Sequence, residues 1–326
     1  MNTTRLPNRV DLTIAFAHAA YQLASRFAER KSGIGHFEVR TLDALKARIH
    51  DADVLVVSGL WRNELLELAP RLRFVQSISS GMDQYDQAEF RARGIRLASA
   101  AGVNANAVAE HAMSLVLALN RQLHLARDNQ TARHWRPMIA EIAKREAEIA
   151  GKTLVVVGLG RIGERIATLG RAFGMHVIGL RRAGGEPPPC CHELKAMSEL
   201  NAVLPRADVL VLSCALTPDT TRLLDGRRLN LMKPTAQLVN VARGKVVDEA
   251  ALIEALVLRR IAAAALDVFE EEPLPVSSPL WAMANVLVTP HTGGETQAYE
   301  DNVIDILVEN LEQQWRGEAG LRNQVV

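Results

Sequence analysis

The chain has 326 residues, of which 48% are hydrophobic and 23% are charged, and its formal net charge is +1. This length is too great for one ordinary core and predicts two globular domains. A charge this close to neutral argues against a general nucleic-acid or membrane-surface role, since both need a basic excess. No apolar run approaches the ~20 residues of a membrane helix, and the first residues lack the apolar segment of a signal peptide.

The cysteine content is low and odd: Cys190, Cys191 and Cys214 are the three cysteines of the chain. This number fits a reducing compartment, and we expect the protein to be cytoplasmic. Cys190 and Cys191 precede His192, but adjacent cysteines lack the spacing of metal ligands. No metal site is therefore predicted.

The first third of the chain alternates predicted strands and helices and contains no dinucleotide-type glycine cluster. Sequence patterns predict strands at residues 12–17, 54–58, 72–79 and 95–99, and helices at 21–30 and 42–49. This alternation is typical of a parallel sheet with helices on its faces, so we expect a small α/β lobe. Residues 104–127 are predicted to form one long helix that can cross between lobes, and residues 129–150 a loop and short connector.

The second lobe opens with a predicted strand, a glycine-rich turn and a helix. Thr153–Val157 is nearly all apolar, as a buried parallel strand should be, and Gly158, Gly160 and Gly163 follow it. In a dinucleotide-binding turn, the first glycine permits the tight turn, the second admits a pyrophosphate, and the third lets the helix approach the strand. The helix N-terminus offers N–H groups to the phosphates. An ordinary glycine-rich turn is the alternative, but the strand–turn–helix context favours a dinucleotide.

The next predicted strand, residues 176–180, is followed by Arg181 and Arg182. An enzyme that uses NAD normally carries Asp or Glu here to bind the ribose 2′-hydroxyl. A guanidinium can instead bind a 2′-phosphate through two parallel hydrogen bonds. The sequence therefore predicts NADP as the cofactor. A solvated basic pair at a strand end is the alternative, and it would leave NAD as the cofactor.

Polar residues follow the remaining predicted strands of this lobe. These strands lie at residues 208–213, 237–242, 261–266 and 286–289, with helices at 249–259 and 295–315. Arg243 follows the second strand, Asp267 and Glu272 follow the third, and His291 follows the fourth. Because ligands lie beyond the carboxyl ends of parallel strands, we expect these groups to form one site.

Three of these groups fit the reduction of a 2-oxo acid. Arg243 is a planar, forked cation that suits a carboxylate and a carbonyl oxygen. His291 can exchange the hydroxyl proton near neutral pH, and Glu272 would favour and orient its protonated form. Each residue alone could be an ordinary surface group, but their grouping after a dinucleotide turn favours a reaction site.

Four motifs together resemble the D-isomer specific 2-hydroxyacid dehydrogenase family, which includes glyoxylate and hydroxypyruvate reductases. They are Gly158-Leu-Gly-Arg-Ile-Gly163, Asn240-Val-Ala-Arg-Gly244, Leu266-Asp-Val-Phe-Glu-Glu-Glu-Pro273 and Thr289-Pro-His-Thr-Gly-Gly294, and Val108-Ala-Glu-His111 also fits. The resemblance implies an α/β fold with a Rossmann-type doubly wound parallel sheet for the dinucleotide and a smaller flavodoxin-like α/β substrate lobe. The substrate lobe would comprise residues 1–103 plus 296–326, and the dinucleotide lobe residues 104–295.

The same resemblance implies roles for single residues. Arg243 would bind the substrate, His291 would be the acid/base, and Glu272 would be its partner. Backbone N–H groups at Ser80, Gly81 and Met82 would bind the substrate carboxylate. The glycine turn, the two arginines after the second strand and the motifs together give the expected cofactor contacts. These are Gly158, Gly160, Arg161, Ile162, Gly163, Arg181, Arg182, Val241, Ala242, Arg243, Asp267, His291, Gly293 and Gly294.

The expected function is hydride transfer between NADP(H) and a small 2-oxo acid or D-2-hydroxy acid of the glyoxylate or hydroxypyruvate type. Glu272 precedes Pro273 where formate dehydrogenases of the superfamily have Gln, which argues against formate. The alternative is an NAD(P)H-sensing interaction protein of the corepressor type. The family also implies a homodimer, to which the helix at 104–127 could contribute unless it is buried within one chain. Substrate specificity is expected from Leu60, Trp61, Ser80 and Met82, with Trp135 or Trp281 as further candidates.

Overall fold

The structure is a computed structural model that describes residues 5–142 and 145–326. The chain divides into two compact units: residues up to Asn104 together with Thr296–Val326, and Ala105–Glu295. Across the two described ranges, no helix combines the length and the apolarity that crossing a bilayer requires.

The first unit is built on a five-stranded parallel sheet in the order β2-β1-β3-β4-β5. Its strands are β1 (Thr13–Ala17), β2 (Gly35–Val39), β3 (Val54–Val57), β4 (Phe74–Ser77) and β5 (Arg96–Ala98). Its helices are α1 (Leu23–Ala28), α2 (Leu42–Arg48), α3 (Gln87–Arg93) and the C-terminal α10 (Tyr299–Trp315). Apolar cores cover both faces of the sheet, so β3 and β4 are buried throughout.

Two elements of this unit, β2 and α3, are absent from the sequence prediction. β2 is an edge strand with only its last residue buried, so it lacks the apolar run of a central strand. α3 begins after Asp86, whose side chain accepts hydrogen bonds from two backbone N–H groups. It ends at Gly94, whose φ of 64° is left-handed and favours glycine. Local capping thus defines α3, although its apolar periodicity is weak.

The second unit is built on a seven-stranded parallel sheet in the order β12-β11-β10-β9-β6-β7-β8. Its strands are β6 (Thr153–Val157), β7 (His176–Arg181), β8 (Glu193–Ala196), β9 (Val209–Leu212), β10 (Gln237–Asn240), β11 (Ala263–Leu266) and β12 (Val286–Val288). Its helices are α4 (Ala105–Asn120), α5 (Leu123–Thr131), α6 (Arg161–Ala172), α7 (Leu200–Val203), α8 (Gly226–Leu229) and α9 (Glu249–Val257). The strand order reverses between β6 and β9, as in doubly wound dinucleotide-binding sheets. The predicted fold class is confirmed.

The structure corrects three details of the second unit. β8 is a seventh strand that the sequence did not reveal, because this edge strand is short and mostly polar. The single helix predicted over 104–127 is wrong, since Gln122 adopts a left-handed φ of 51° between α4 and α5. The loop predicted from residue 129 starts after Thr131, and residues 143–144 of it lie outside the described residues. α4 buries one face in the core of this unit, beside α6 and β10.

Candidate active site

The glycine-rich turn after β6 is tightly packed at two of its three glycines. Gly158 has a φ of 94°, and a Cβ there would lie 2.4 Å from the Cα of Cys214. A Cβ on Gly163 would lie 2.3 Å from the carbonyl oxygen of Gly158. A Cβ on Gly160, by contrast, would meet no atom within 4 Å. Gly158 and Gly163 are therefore needed to build the turn, whereas the space beside Gly160 is open at the N-terminus of α6.

A cavity of about 620 Å³ adjoins this turn. Its lining residues include Gly158, Gly160, Arg181, Arg182, Ser198, Thr217, Asp219 and Arg228. The side chain of Arg181 is exposed, and its Nε donates to the carbonyl oxygen of Ala183 at 3.1 Å. The two arginines predicted from the sequence thus share a cavity with Gly158 and Gly160, and the described lining of this cavity does not include Arg243, Asp267 or His291.

Arg228 is a third guanidinium in the same cavity, and the sequence analysis did not identify it. Its Nε donates to Asn201 Oδ1 at 2.9 Å, and its Nη1 donates to the carbonyl oxygen of Leu223 at 2.7 Å. The guanidinium is half-buried and fixed by these two contacts. No sequence motif identifies this residue, because α8 is far from the glycine-rich turn in the chain and lies beside the cavity only in the folded protein.

The turn that carries Arg243 is shaped by Asn240, which is buried at the end of β10. Asn240 Oδ1 accepts from the backbone N–H of Ala242 at 3.0 Å, and Nδ2 donates to the carbonyl oxygen of Arg243 at 3.1 Å. The next residue is Gly244, where a Cβ would lie 1.8 Å from the carbonyl carbon of Phe269. The Arg243 turn therefore lies directly against the segment that leads to Glu272.

His291 and Glu272 form the predicted pair. His291 Nδ1 lies 2.7 Å from Glu272 Oε2, and Glu272 Oε1 accepts from the backbone N–H of Phe269 at 3.0 Å. With Nδ1 bonded to a carboxylate, we assign its proton to that nitrogen, so Nε2 is the atom that exchanges a proton with a ligand. The His291 side chain is 46% exposed, which leaves it accessible.

Both members of this pair have shifted pKa values. The hydrogen bond from Glu272 raises the pKa of His291 above its ordinary value, although burial and the charge of Arg243 oppose the shift. Burial favours the neutral form of Glu272, but its hydrogen bonds with His291 and the Phe269 N–H outweigh burial and lower its pKa. Both shifts therefore favour the imidazolium–carboxylate form of the pair.

Asp267 anchors the turn on which His291 lies. This residue is only 3% exposed, and its oxygens accept from the backbone N–H groups of Thr292 (3.1 Å) and Gly293 (3.0 Å). His291 itself adopts a left-handed φ of 55°, which needs support for a residue other than glycine. A Cβ on Gly293 would lie 2.9 Å from Asp267 Oδ2, so the glycine is required for this contact.

A threonine and a histidine complete the environment of this buried carboxylate. Thr289 Oγ1 donates to Asp267 Oδ1 at 2.6 Å. His111 Nε2 lies 3.0 Å from Thr289 Oγ1 and 3.3 Å from Asp267 Oδ1. Burial opposes ionisation of Asp267, but these hydrogen bonds outweigh it and lower its pKa. His111, noted in the sequence only as part of a motif, thus supports the His291 turn, and the predicted cofactor contact of Asp267 stays a prediction.

The residues predicted to bind the substrate carboxylate, Ser80, Gly81 and Met82, lie in the first unit after β4. Ser80 is exposed and the other two are half-buried. Trp61 is only 2% exposed and packs on the rings of Tyr85 and Phe90. The Trp61 side chain therefore belongs to the core, and the expectation that the loops around Leu60-Trp61, Ser80 and Met82 set substrate specificity stays a prediction.

Other candidate groups show no cluster of metal ligands. Within residues 5–142 and 145–326, no set of three or more His, Cys, Asp or Glu side chains is placed to bind a metal ion. Cys190 and Cys191 are free thiols with their sulfur atoms 3.9 Å apart. Burial raises the pKa of Cys191 to about 12, so this thiol is a poor nucleophile and a poor metal ligand.

Sequence comparison relates the chain to known dehydrogenases. A model of the D-isomer specific 2-hydroxyacid dehydrogenase NAD-binding domain matches residues 113–293. Glyoxylate reductase from Pyrococcus furiosus is 38% identical over 290 residues, which cover 85% of this chain and 83% of that protein. D-3-phosphoglycerate dehydrogenase from Methanocaldococcus jannaschii is 36% identical over 291 residues, which cover 87% of this chain but only 54% of that protein.

Structural comparison extends the similarity to both units. A D-isomer specific 2-hydroxyacid dehydrogenase family protein from Aeromonas salmonicida gives a TM-score of 0.85 at 30% identity, covering 97% of this chain and 99% of that one. A D-isomer specific 2-hydroxyacid dehydrogenase from Xanthobacter autotrophicus in complex with NADPH and MES gives a TM-score of 0.81 at 27% identity, covering 97% and 98%.

Proposed function

Because the chain belongs to the D-isomer specific 2-hydroxyacid dehydrogenase family, we propose that it reduces a small 2-oxo acid of the glyoxylate or hydroxypyruvate type with NADPH. The observation that carries this proposal is the 2.7 Å contact between His291 Nδ1 and Glu272 Oε2, with the Arg243 turn held beside it by Gly244. Two relatives at 36% and 38% identity are glyoxylate reductases, which supports the substrate type.

The chemistry of the proposed reaction follows from the charges of these residues. Bound NADPH supplies the hydride that reduces the keto carbon. His291 in its protonated form donates from Nε2 to the carbonyl oxygen, and Glu272 stabilises that form beforehand. Arg243 binds the carboxylate and polarises the carbonyl group, because its planar guanidinium can serve two oxygens at once. The turn at Ser80–Met82 remains the predicted carboxylate contact from the first unit.

The charge of the cavity beside the glycine-rich turn supports the proposed preference for NADPH. Arg181, Arg182 and Arg228 line it, whereas Asp219 is the acidic residue in its described lining. Arg181 and Arg182 would favour a 2′-phosphate over a 2′-hydroxyl, since each can form charge-assisted hydrogen bonds to phosphate. The side chain of Arg181 leaves β7 at the position where NAD enzymes carry an acidic residue.

We also propose a homodimer formed through the segment after α4. Trp135 and Met138 are 95% and 98% exposed, and Ile142 is also largely exposed. Three largely exposed apolar side chains within one segment are consistent with a contact patch, whereas a single exposed apolar residue is not a sign of one. Light scattering at micromolar concentration should give twice the chain mass, and Trp135→Glu with Met138→Glu should give a monomer. Val276→Glu changes an equally exposed residue elsewhere and should not alter the mass, and a monomeric wild type would refute the proposal.

The activity test is a panel of 2-oxo acids with both nicotinamide cofactors. Initial rates are measured with glyoxylate, hydroxypyruvate, pyruvate and 3-phosphohydroxypyruvate, each with NADPH and NADH, for the wild type and His291→Ala. We expect turnover with NADPH and one of the first two acids. The His291 variant should lose about 10²–10⁴-fold in kcat, the usual contribution of a general acid. Tight NADPH binding without any turnover would instead favour the nucleotide-sensing protein of the corepressor type.

A further inference from the structure

The sheet of the first unit has its own reversal of strand order, between β1 and β3. Carboxyl ends of parallel strands at such a point are where ligands bind in open sheets. Ala17 pairs in register with Val57, so the residues that follow them, His18 and Ser58, leave adjacent strand ends. Both side chains are half-buried. Two residues with hydrogen-bonding side chains therefore follow neighbouring strand ends at this edge.

The imidazole of His18 is fixed in one tautomer. Its Nδ1 accepts from the backbone N–H groups of Ala20 at 3.1 Å and Tyr21 at 2.9 Å. The ring also stacks on Tyr21, with centroids 4.2 Å apart and planes 11° apart. Burial and the neighbouring charge of Arg40 lower the pKa of His18, although Glu300 opposes them, so the ring is neutral with its proton on Nε2. Nε2 has no hydrogen-bond partner among the residues that the structure describes, so it presents an oriented N–H donor.

The next strand end supplies hydroxyl groups. Ser58 Oγ and Ser79 Oγ form a hydrogen bond with each other. Two hydroxyls that share one bond keep one O–H and several lone pairs for a ligand. Ser79 directly precedes the turn of Ser80, Gly81 and Met82, which is the predicted contact for the substrate carboxylate. The polar edge is thus continuous from His18 through Ser58 to that turn.

We propose that His18, Ser58 and Ser79 form a subsite for the C3 hydroxyl group of a 3-hydroxy-2-oxo acid such as hydroxypyruvate. The inference rests on the proposed function, because it places the substrate carboxylate at the Ser80–Met82 turn. A C3 hydroxyl can accept from His18 Nε2 and donate to a serine oxygen, which satisfies both its roles. A C3 methyl group, as in pyruvate, would desolvate these polar groups and leave the His18 Nε2 donor without an acceptor.

The charged groups near this edge are already engaged, which disfavours a C3 phosphate. Arg40 contacts Glu38 at 2.7 Å and donates to the carbonyl oxygen of Tyr21 at 2.8 Å. Arg62 donates to the carbonyl oxygens of Gly59 at 3.1 Å and of Trp61 at 2.6 Å. A phosphate would have to displace one of these contacts to find a cation. The subsite therefore suits a neutral hydroxyl group.

The test compares kcat/KM for hydroxypyruvate, pyruvate and glyoxylate in wild type and His18→Asn. Asparagine keeps an oxygen near the position of Nδ1 for the two backbone donors but lacks the Nε2 donor. The wild type should prefer hydroxypyruvate to pyruvate by about ten- to a hundredfold, the effect of one unpaired polar group. His18→Asn and Ser58→Ala should each reduce that ratio by about tenfold. Glyoxylate has no C3, so its kcat/KM should change less than that of hydroxypyruvate in both variants.

Controls separate this inference from general damage and from the proposed function. His50→Asn changes an exposed histidine of the same unit and should leave the hydroxypyruvate to pyruvate ratio unchanged. Thermal unfolding identifies any variant that fails to fold, and Ser58→Thr, which keeps a hydroxyl, should retain the ratio. A wild type that prefers pyruvate or 3-phosphohydroxypyruvate, or a His18→Asn variant with the wild-type ratio, overturns the subsite. If no 2-oxo acid is reduced at all, the proposed function fails instead.

Discussion

Replacement of Glu272 by Gln tests the central pair most directly, because it removes one charge and keeps the shape. The carboxylate lies 2.7 Å from His291 Nδ1 and is the largest cause of the raised pKa of that histidine. A charge-assisted hydrogen bond contributes about 1.5–3 kcal/mol. The two side chains are 46% and 35% exposed, so screening by water reduces this figure. A loss of about 1.4 kcal/mol corresponds to one pKa unit.

We therefore expect the pKa of His291 to fall in Glu272→Gln, because the carboxylate that raises it is removed. Reduction needs the imidazolium, so its rate declines as pH rises through this pKa, and the decline should begin at lower pH in the variant. Oxidation needs the neutral imidazole, so its rise with pH should move in the same direction. The assay is kcat/KM against pH in both directions. Glu271→Gln, at the exposed neighbouring residue, is the control and should match the wild type.

Three outcomes would contradict this reasoning. An unchanged pH profile in Glu272→Gln would mean that His291 does not depend on this carboxylate for its protonated form. A shift to higher pH would mean that the retained amide stabilises imidazolium better than the carboxylate, which the charges forbid. A uniform loss of rate without any shift would assign Glu272 to orienting the ring rather than to tuning its charge.

Three further substitutions test the cofactor site and the packing of the site. Arg181→Asp should reverse a roughly tenfold preference for NADPH in kcat/KM, because a charge-assisted bond to the 2′-phosphate is replaced by repulsion between like charges. Arg165→Asp, on the exposed face of α6, is the control and should leave the preference unchanged. Arg228→Met should raise Kd for NADPH and NADH by similar factors of about ten, because its two fixed contacts shape the wall for both; a selective effect on NADPH would contradict this. Gly244→Ala should lower the free energy of unfolding by about 1–3 kcal/mol and reduce kcat, whereas Gly320→Ala, in open space, should do neither; an unchanged melting temperature would refute the packing argument.

The sequence predicts the central strands and the strand-end residues well, for a physical reason. Strands such as β6 and β9 are buried on both faces, so their apolar runs are continuous. The edge strands β2 and β8 pair on one side only, and their mixed composition resembles that of loops. Trp61 follows a strand end yet its side chain turns into the core, which its position in the sequence alone does not reveal.

Contacts between distant residues account for the rest. Asn240 and Asp267 shape the turns of Arg243 and His291 through hydrogen bonds that no spacing rule reveals. His111 is 178 residues from Thr289 in the chain, yet the two side chains lie 3.0 Å apart. Such supporting groups depend on the register of the sheet and on helix placement, so they become visible only in the folded chain. Arg243, Glu272 and His291 could be selected from the sequence because each lies within a few residues of a strand end, and their roles stay predictions.

The close contact at Gly244 has a consequence for how this protein can evolve. Because there is no room for one carbon atom between Gly244 and the Phe269 backbone, the Arg243 turn and the segment that leads to Glu272 cannot move independently. Natural or laboratory selection for a new substrate would therefore meet strong constraint in these motifs. We expect diversification to concentrate at positions such as His18 and Ser58, where substitutions leave that junction untouched. Related chains would then differ in substrate specificity while catalysing the same type of reaction.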